Sequence, residues 1–267
     1  MICRASVVWG TLFCNAPIST WPRMRWNVRL GDYLSPTTVD WPGKCAMIIW
    51  FAGCNFRCRY CQNASIVPPG SGRECALDEL RSAIKDNIVW IDGVVFSGGE
   101  PTLQEEALTR LSAYVKERKR GVLVDTNGSR PEVLERMLER GLVDQVSLDL
   151  KAAPEKYPQV TGTSPAAAAK VLESLKLSLG SKAVTEVRTT VVPGLVGVKD
   201  IESIARLAKD CDVYYLQQFR PEGDLLDKSL ASLRPPTHRE LMRLGAIAKR
   251  HMAKVGVKTR EFGVQYV

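Results

Sequence analysis

Histidine is scarce in this chain of 267 residues, which contains only His238 and His251. Zinc and non-haem iron sites built on imidazole ligands are therefore not expected. Long hydrophobic runs are lacking as well. The longest apolar run of the central region, residues 46–52, is far too short to cross a bilayer. We accordingly expect no membrane association.

The sequence also lacks a secreted-type disulfide pattern and any nucleic-acid-binding motif. Five of its eight cysteines are dispersed, namely Cys3, Cys14, Cys45, Cys75 and Cys211. This spacing favours a reduced, cytoplasmic compartment. The formal net charge is +8, but basic residues alternate with acidic ones along the predicted helices. Such interleaving indicates solvated helix faces, so we expect no nucleic-acid partner, and an acidic protein partner stays open.

What the chain does contain, from Cys45 onward, is a regular alternation of strand and helix patterns. Predicted strands cover 46–51, 93–96, 122–125, 143–148, 184–191 and 213–216, with a short last strand over 257–261. Predicted helices cover 77–85, 103–119, 131–140, 165–179, 200–209 and 237–254. Six strands that each precede a helix predict an α/β fold, a partial six-stranded (β/α) barrel with a parallel sheet and outer helices. Functional groups should then lie at the carboxyl ends of the strands.

Helix boundaries are predicted from capping residues. Thr102 with Glu105, and Thr237 with Glu240, have the spacing of capping boxes, and Ser164 is a candidate N-cap. Gly141 and Gly180 are the expected helix stops.

The first 29 residues lack this organisation. We predict that residues 1–29 are an extension, either disordered or the product of a mis-assigned start, with Met24 as the alternative first residue. The apolar stretch before residue 14 is too short and broken for a secretory signal. A single domain is predicted over residues 30–267.

Three cysteines follow the first predicted strand directly. Cys54, Cys58 and Cys61 have the spacing C-x3-C-x2-C. Structural zinc takes four ligands, and a cubane iron–sulfur cluster normally has four thiolates. Three thiolates in a cubane leave one iron open to another ligand. A zinc site completed by Cys75 is the alternative that the spacing leaves open.

This motif, with Tyr60 before its last cysteine, resembles that of the radical S-adenosylmethionine (SAM) superfamily. The resemblance implies a 4Fe–4S cluster whose open iron chelates the methionine part of SAM, with Tyr60 near the adenine. The second predicted strand ends in Gly98, Gly99 and Glu100, followed by a proline. This element resembles the second motif of the family, which binds the methionine amino group.

Further segments resemble the branch that activates glycyl-radical enzymes. They are Asp40-Trp41-Pro42-Gly43, Asp125-Thr126-Asn127-Gly128 and Asp149-Leu150-Lys151. In that branch the acids and the threonine help to place the SAM carboxylate, through a monovalent cation. Residues 143–162, the run from Arg188 and the run from Gln217 look most like the activating protein of anaerobic ribonucleoside-triphosphate reductase. The resemblance implies cofactor-binding roles for Tyr60, Gly98, Gly99, Glu100, Asp125, Thr126, Asn127, Asp149, Lys151, Arg188 and Gln217, with Gln218 as the alternative to Gln217.

The resemblance also implies a mechanism and partners. A flavodoxin or ferredoxin would supply one electron, SAM would be cleaved reductively, and the 5′-deoxyadenosyl radical would take a hydrogen atom from a glycine of the partner enzyme. No acid–base residue is required. Two alternatives remain: a radical SAM enzyme that acts on a small molecule, such as 7-carboxy-7-deazaguanine synthase, and an iron–sulfur electron carrier.

Overall fold

The computed structural model describes residues 27–267, in which ten strands form one sheet. The strands are β1 (Asn27–Thr37), β2 (Ala46–Phe51), β3 (Arg73–Ala76), β4 (Gly93–Gly98), β5 (Gly121–Thr126), β6 (Gln145–Asp149), β7 (Val184–Val191), β8 (Val213–Gln218), β9 (Val255–Thr259) and β10 (Gly263–Tyr266). Their spatial order is β10-β9-β8-β7-β6-β5-β4-β2-β1-β3.

The central strands β2 and β4 to β9 are all parallel to one another. Antiparallel strands flank this run, with β1 and β3 on one side and β10 on the other. The predicted parallel α/β sheet of a partial barrel is therefore confirmed, and the sheet is unclosed within residues 27–267. The three flanking strands were not predicted.

Seven α-helices of the described region connect or cover the strands. They are α1 (Leu77–Asn87), α2 (Glu105–Glu117), α3 (Pro131–Glu139), α4 (Tyr157–Thr161), α5 (Ala166–Leu179), α6 (Val198–Leu207) and α7 (His238–Ala248). The larger apolar core lies between these helices and the sheet. No helix of the described region is long and apolar enough to span a bilayer.

Of the three predicted helix N-caps, two are wrong and one is confirmed. The Thr237–Glu240 capping box forms at the start of α7. Thr102 does not cap a helix, because its backbone N–H donates to Glu100 at 3.1 Å and a 3-10 turn over Pro101–Gln104 precedes α2. Ser164 makes no side-chain cap either, and α5 begins at Ala166. The last helix ends at Ala248, six residues earlier than predicted.

A second, smaller core fills the inside of the curled sheet. It contains Trp41, Ala46, Ile48, Val95 and Leu123. The Trp41 indole N–H donates to the Gln145 side chain at 2.9 Å. Gly93 and Gly121 make room for this ring, since a Cβ atom there would lie 2.6 and 2.8 Å from it. The amino-terminal end of the curl is therefore filled, and open space is left at the carboxyl ends of the strands.

The predicted domain boundary at residue 30 falls inside a strand. β1 begins at Asn27 and pairs with β3 through residues 27–30, so residues 27–29 belong to the sheet and not to an extension. Their backbone hydrogen bonds fix them in place, which a composition argument does not reveal. The rest of the predicted extension, and the alternative start at Met24, lie outside the described residues.

Candidate active site

A cavity of about 440 Å³ opens at the carboxyl ends of the parallel strands. Of the residues predicted for the site, all except Glu100 line this cavity. They come from the loop after β2, from at or just after the ends of β4, β5, β6 and β8, and from within β7, where Arg188 lies beside Asp149 in the register. The strand-end rule thus placed these side chains together, although their individual roles toward a cofactor stay predictions.

The three cysteines of the motif lie in the loop that follows β2. Cys58 is buried, and Cys54 and Cys61 are partly exposed in the cavity wall. The Phe56 backbone N–H and the Asn127 amide lie 3.4 and 3.8 Å from the Cys54 sulfur, as donors suited to a thiolate. Burial raises the pKa of Cys58 to about 12 and that of Cys54 to about 11. The free thiols therefore keep their protons, and iron binding must release them.

The donor set fits a cubane cluster and does not fit zinc. Cys75 is buried in the main core, where its thiol contacts the Ala76 carbonyl, and it does not line the cavity. Within residues 27–267, no group of three or more His, Cys, Asp or Glu side chains is arranged around a single metal ion. In a cubane each thiolate binds a different iron, so three separate cysteines on one loop suit a cluster with one open iron.

Gly98 and Gly99 allow the end of β4 to pack directly against the start of the cysteine loop. A Cβ atom on Gly98 would lie 2.2 Å from the Phe51 carbonyl oxygen, and one on Gly99 would lie 2.2 Å from that of Gly53. Gly98 also has a φ of +119°, which side chains disfavour. Both glycines line the cavity, and any larger residue would push β4 away from the cysteine loop.

Glu100 lies beneath the cavity and not in its wall. Its side chain is fully buried, and one oxygen accepts hydrogen bonds from Thr102 and from the Thr126 hydroxyl at 2.8 Å. The other accepts from the Asn127 backbone N–H at 2.7 Å. The expected acceptor for an ammonium group is thus already engaged with the protein. In this structure Glu100 positions the ends of β4 and β5, which is a correction to its predicted place in the site.

A row of alternating charges crosses three strand ends. Arg188 on β7 pairs with Asp125 and with Asp149, each at 3.0 Å, and Asp149 also pairs with Lys151 at 2.7 Å. Burial raises the pKa of Asp125 although Arg188 opposes it. Burial acts the same way on Asp149, but Arg188 and Lys151 outweigh it, and the pKa of Asp149 is lowered. The row therefore presents the charges of Arg188, Asp149 and Lys151 to any ligand in the cavity, while burial works against the charge of Asp125.

Tyr60 offers a polar atom that no described residue satisfies. Its hydroxyl is buried and has no hydrogen-bond partner, while its ring lies in the cavity wall. A buried hydroxyl without a partner is costly unless a ligand or water pairs with it. This observation fits a bound polar cofactor beside the cysteine loop.

The structure separates the two candidate glutamines. The Gln218 amide donates to the Pro236 carbonyl at 2.9 Å and accepts from the Arg260 N–H at 3.0 Å, so it holds neighbouring segments together. Both glutamines line the cavity, and among the described residues no side-chain hydrogen bond engages Gln217. Gln217 therefore stays the predicted ligand contact.

Sequence reasoning missed the contribution of β9 and β10. Lys258, Thr259, Gly263 and Val264 line the cavity. The Lys258 ammonium lies 3.3 Å from the buried Glu186 carboxylate and 4.1 Å from the centre of the Tyr215 ring. Burial lowers the pKa of Lys258, and Glu186 opposes this. A lysine between Val257 and Thr259 in the predicted last strand was the signal available.

A curled parallel sheet with three loop cysteines and charged strand ends around one cavity defines a class of barrel enzymes that bind a metal cluster together with a polar cofactor. The model of the radical SAM superfamily matches residues 48–208, more than half of the chain. This chain belongs to the radical SAM superfamily. Its cofactors are accordingly a 4Fe–4S cluster and SAM, and the cavity residues fit both.

Several curated relatives share most of the chain. MJ1227 of Methanocaldococcus jannaschii, whose name assigns it to the glycyl-radical enzyme activating enzymes, is 36% identical over 226 residues, covering 84% of this chain and 92% of that protein. The pyruvate formate-lyase-activating enzyme of Clostridium pasteurianum is 30% identical, covering 68% and 76%. A 7-carboxy-7-deazaguanine synthase of Methanothermobacter thermautotrophicus is 34% identical, over only 42% and 43%.

Solved structures share the fold. SuiB of Streptococcus suis bound to S-adenosylmethionine superposes with a TM-score of 0.58 at 11% identity, over 80% of this chain and 52% of that one. At this identity the likeness concerns the fold alone.

Proposed function

We propose that this enzyme generates a glycyl radical on a partner glycyl-radical enzyme. The observation that carries the proposal is the single cavity that combines three loop cysteines with the Asp125–Arg188–Asp149–Lys151 charge row. The similarity to activating enzymes over most of the chain supports the same reading.

The residues of the cavity divide into two groups. Cys54, Cys58 and Cys61 would hold the cluster, and Tyr60 with the strand-end residues would bind SAM. When bound and reduced by one electron from the donor, the cluster would supply the reductive cleavage of SAM to methionine and a 5′-deoxyadenosyl radical, the species able to take a hydrogen atom from the partner's glycine. The protein itself orients both cofactors, excludes water and needs no acid–base residue.

The charge row would orient the zwitterionic methionine part of SAM. Lys151 and Arg188 present N–H donors toward a carboxylate, and Asp125 and Asp149 present acceptors toward an ammonium group. Both carboxylates are already paired with Arg188, so the monovalent cation expected in this branch stays a prediction.

For the partner we propose anaerobic ribonucleoside-triphosphate reductase. The support is the resemblance of residues 143–162 and of the runs that begin at Arg188 and Gln217 to the activating protein of that enzyme. A flavodoxin or ferredoxin is the proposed one-electron donor.

The first test is SAM cleavage without a partner. The protein is purified anaerobically, reconstituted with iron and sulfide and reduced with dithionite, and 5′-deoxyadenosine and methionine are quantified by mass spectrometry. We expect both products from the wild type and none from Cys58→Ala. Cys211→Ala is the matched control, because Cys211 is also buried but lies outside the cavity. A protein that holds a cluster yet cleaves no SAM would instead be an electron carrier.

The second test concerns the partner. Electron paramagnetic resonance (EPR) should detect a glycyl radical after incubation with anaerobic ribonucleoside-triphosphate reductase. Purified pyruvate formate-lyase is the comparison protein, because one of the similar proteins is named as its activating enzyme. A radical on pyruvate formate-lyase alone would reassign the partner.

A second candidate function rests on the partial match to a 7-carboxy-7-deazaguanine synthase. Formation of 7-carboxy-7-deazaguanine, with no radical on either protein probe, would favour it over the activase. The match covers less than half of each chain, so we place it second.

A further inference from the structure

The cysteine loop has no regular secondary structure between β2 and the short turn at Ala64–Ile66, so contacts with other segments must fix its shape. On one side, the backbone N–H groups of Arg57 and Arg59 donate to the backbone carbonyls of Thr161 and Val160 at the end of α4, at 2.7 and 3.2 Å. These bonds fix the side of the loop that faces α4. The other side faces residues 220–227, which follow β8 and which we call the strap.

The strap pairs with the loop almost as a strand would. Its Leu226 N–H donates to the Cys61 carbonyl at 3.1 Å, and its Asp227 N–H donates to the Arg59 carbonyl at 2.9 Å. A parallel bridge joins Asn63 to Asp224. The Gln62 side chain adds a bond to the Arg220 carbonyl at 2.8 Å.

One ion pair anchors this ladder. In the sequence, Arg59 lies between Cys58 and Cys61. Its guanidinium lies 2.8 Å from one carboxylate oxygen of Asp227. The second Asp227 oxygen accepts from the Ser229 N–H at 3.0 Å and from its hydroxyl at 2.6 Å, which caps the turn Lys228–Ser232. Asp227 therefore ties the cysteine loop to a separately fixed turn.

We propose that Asp227 is a positioning residue for the iron–sulfur cluster, acting through Arg59 to hold Cys58 and Cys61 in place from the solvent side. The pair is about one third exposed, so each partner can be changed without leaving a fully buried charge. The inference goes beyond the proposed function, because it concerns cluster retention and holds for any substrate. Its test involves no partner protein, so its failure and that of the activase proposal are distinguishable.

The experiment compares Asp227→Asn with Asp224→Asn after anaerobic reconstitution. Asparagine can still cap the turn, so Asp227→Asn removes mainly the charge that faces Arg59. Asp224 is the matched control, because within residues 27–267 its carboxylate pairs with the exposed Lys228 and not with the cysteine loop. We measure the transfer of iron to a chelator, the EPR spectrum of the reduced cluster with and without SAM, and the melting temperature of the iron-free protein.

We expect Asp227→Asn to lose iron about two- to fivefold faster than Asp224→Asn, the range for a partly exposed ion pair. Its EPR spectrum should also change, while the iron-free melting temperatures agree. Arg59→Gln should reproduce both effects without touching the cap on Ser229. Equal iron loss and identical spectra in all variants would overturn the proposal. An iron-free melting temperature lowered in proportion to the iron loss would also overturn it, because Asp227 would then serve the fold alone.

Discussion

At the scale of single residues, the charge row of the cavity depends on Arg188. It is the only described cation that pairs with Asp125, and it shares Asp149 with Lys151. The guanidinium has five N–H donors in a fixed plane, which lets it serve two carboxylates on neighbouring strands at once. Lysine at this position would offer one point charge instead.

The substitution Arg188→Met tests this dependence. It leaves Asp125 buried without a cation, and removing one partner of a buried pair costs about 3–5 kcal/mol of the free energy of unfolding. Urea unfolding of the iron-free protein measures that loss, and equilibrium dialysis with the reconstituted protein should show weaker SAM binding. Arg206→Met is the control, because its pair with Glu202 is exposed on α6. Equal stability in the two variants would contradict the assigned role.

Glu100 and Lys258 show why residue roles are harder to predict than residue positions. The glycines before Glu100 predicted a strand end correctly, but the sequence does not tell whether a carboxylate faces the cavity or the strands beneath it. Lys258 was missed because β9 is short, and its place in the cavity depends on the curl of the whole sheet. The direction in which such a side chain points depends on tertiary packing and not on the local sequence pattern.

At the scale of elements, the buried parallel strands were predictable and the edge strands were not. β2 and β4 read as apolar runs because they are buried on both faces. β1 and β10 are largely exposed and show no such run, so their strand state depends on pairing with β2 and β9. The 3-10 turn before α2 was not predicted, because the Glu100 side chain accepts from the Thr102 backbone N–H and so caps this turn, in place of the predicted cap of a helix by Thr102.

The cap of α7 gives a pH-dependent prediction. Two hydrogen bonds lower the pKa of Glu240 from 4.5 to about 2. The larger effect comes from the Arg234 side chain and the next from the Thr237 backbone N–H. A lowered pKa in the fold means that the ionised carboxylate stabilises the fold. This stabilisation is complete above pH 4.5 and is lost as the pH falls toward 2.

Glu240→Gln should therefore melt below the wild type at neutral pH, and the difference should shrink as the pH falls through that window. Thr237→Ala removes the side-chain cap on the Glu240 N–H and should cost about 1 kcal/mol. Part of that loss should depend on pH as well, because the Thr237 hydroxyl also donates to the Glu240 carboxylate. Melting curves of the iron-free proteins between neutral and acidic pH provide the measurement. A difference for Glu240→Gln that stays constant with pH would contradict the assigned ionisation.

At the scale of the whole molecule, the sheet encloses space whose amino-terminal end is filled by Trp41. The substitution Trp41→Ala should lower the free energy of unfolding by about 3–5 kcal/mol, because a large buried ring is lost and the glycines around it cannot fill the gap. Trp90→Ala is the control, since that ring is 73% exposed. Urea unfolding of both variants checks the prediction, and a similar small loss in both would show that Trp41 does not support the curl.

The other end of the enclosed space is bounded by β9 and β10, which lie beyond the six strands predicted for the barrel. Lys258 lies in this wall. Its ammonium group has three N–H donors, and its described contacts are with the Glu186 carboxylate and the face of the Tyr215 ring. Five strands lie between β2 and β9 in the sheet, so Lys258 reaches the cavity from a strand far along the sheet from the one that precedes the cysteine loop.

If Lys258 contacts the substrate and not SAM, Lys258→Met should separate two activities. Cleavage of SAM without a partner should stay near the wild-type rate, while radical formation on the partner should fall about tenfold, the cost of one hydrogen bond from a charged donor. Lys254→Met is the matched control, because Lys254 also lies against a tyrosine ring, at 4.9 Å from Tyr266, but outside the cavity. A parallel fall of both activities would instead place Lys258 at the cofactor, since a residue that binds SAM cannot spare the first step.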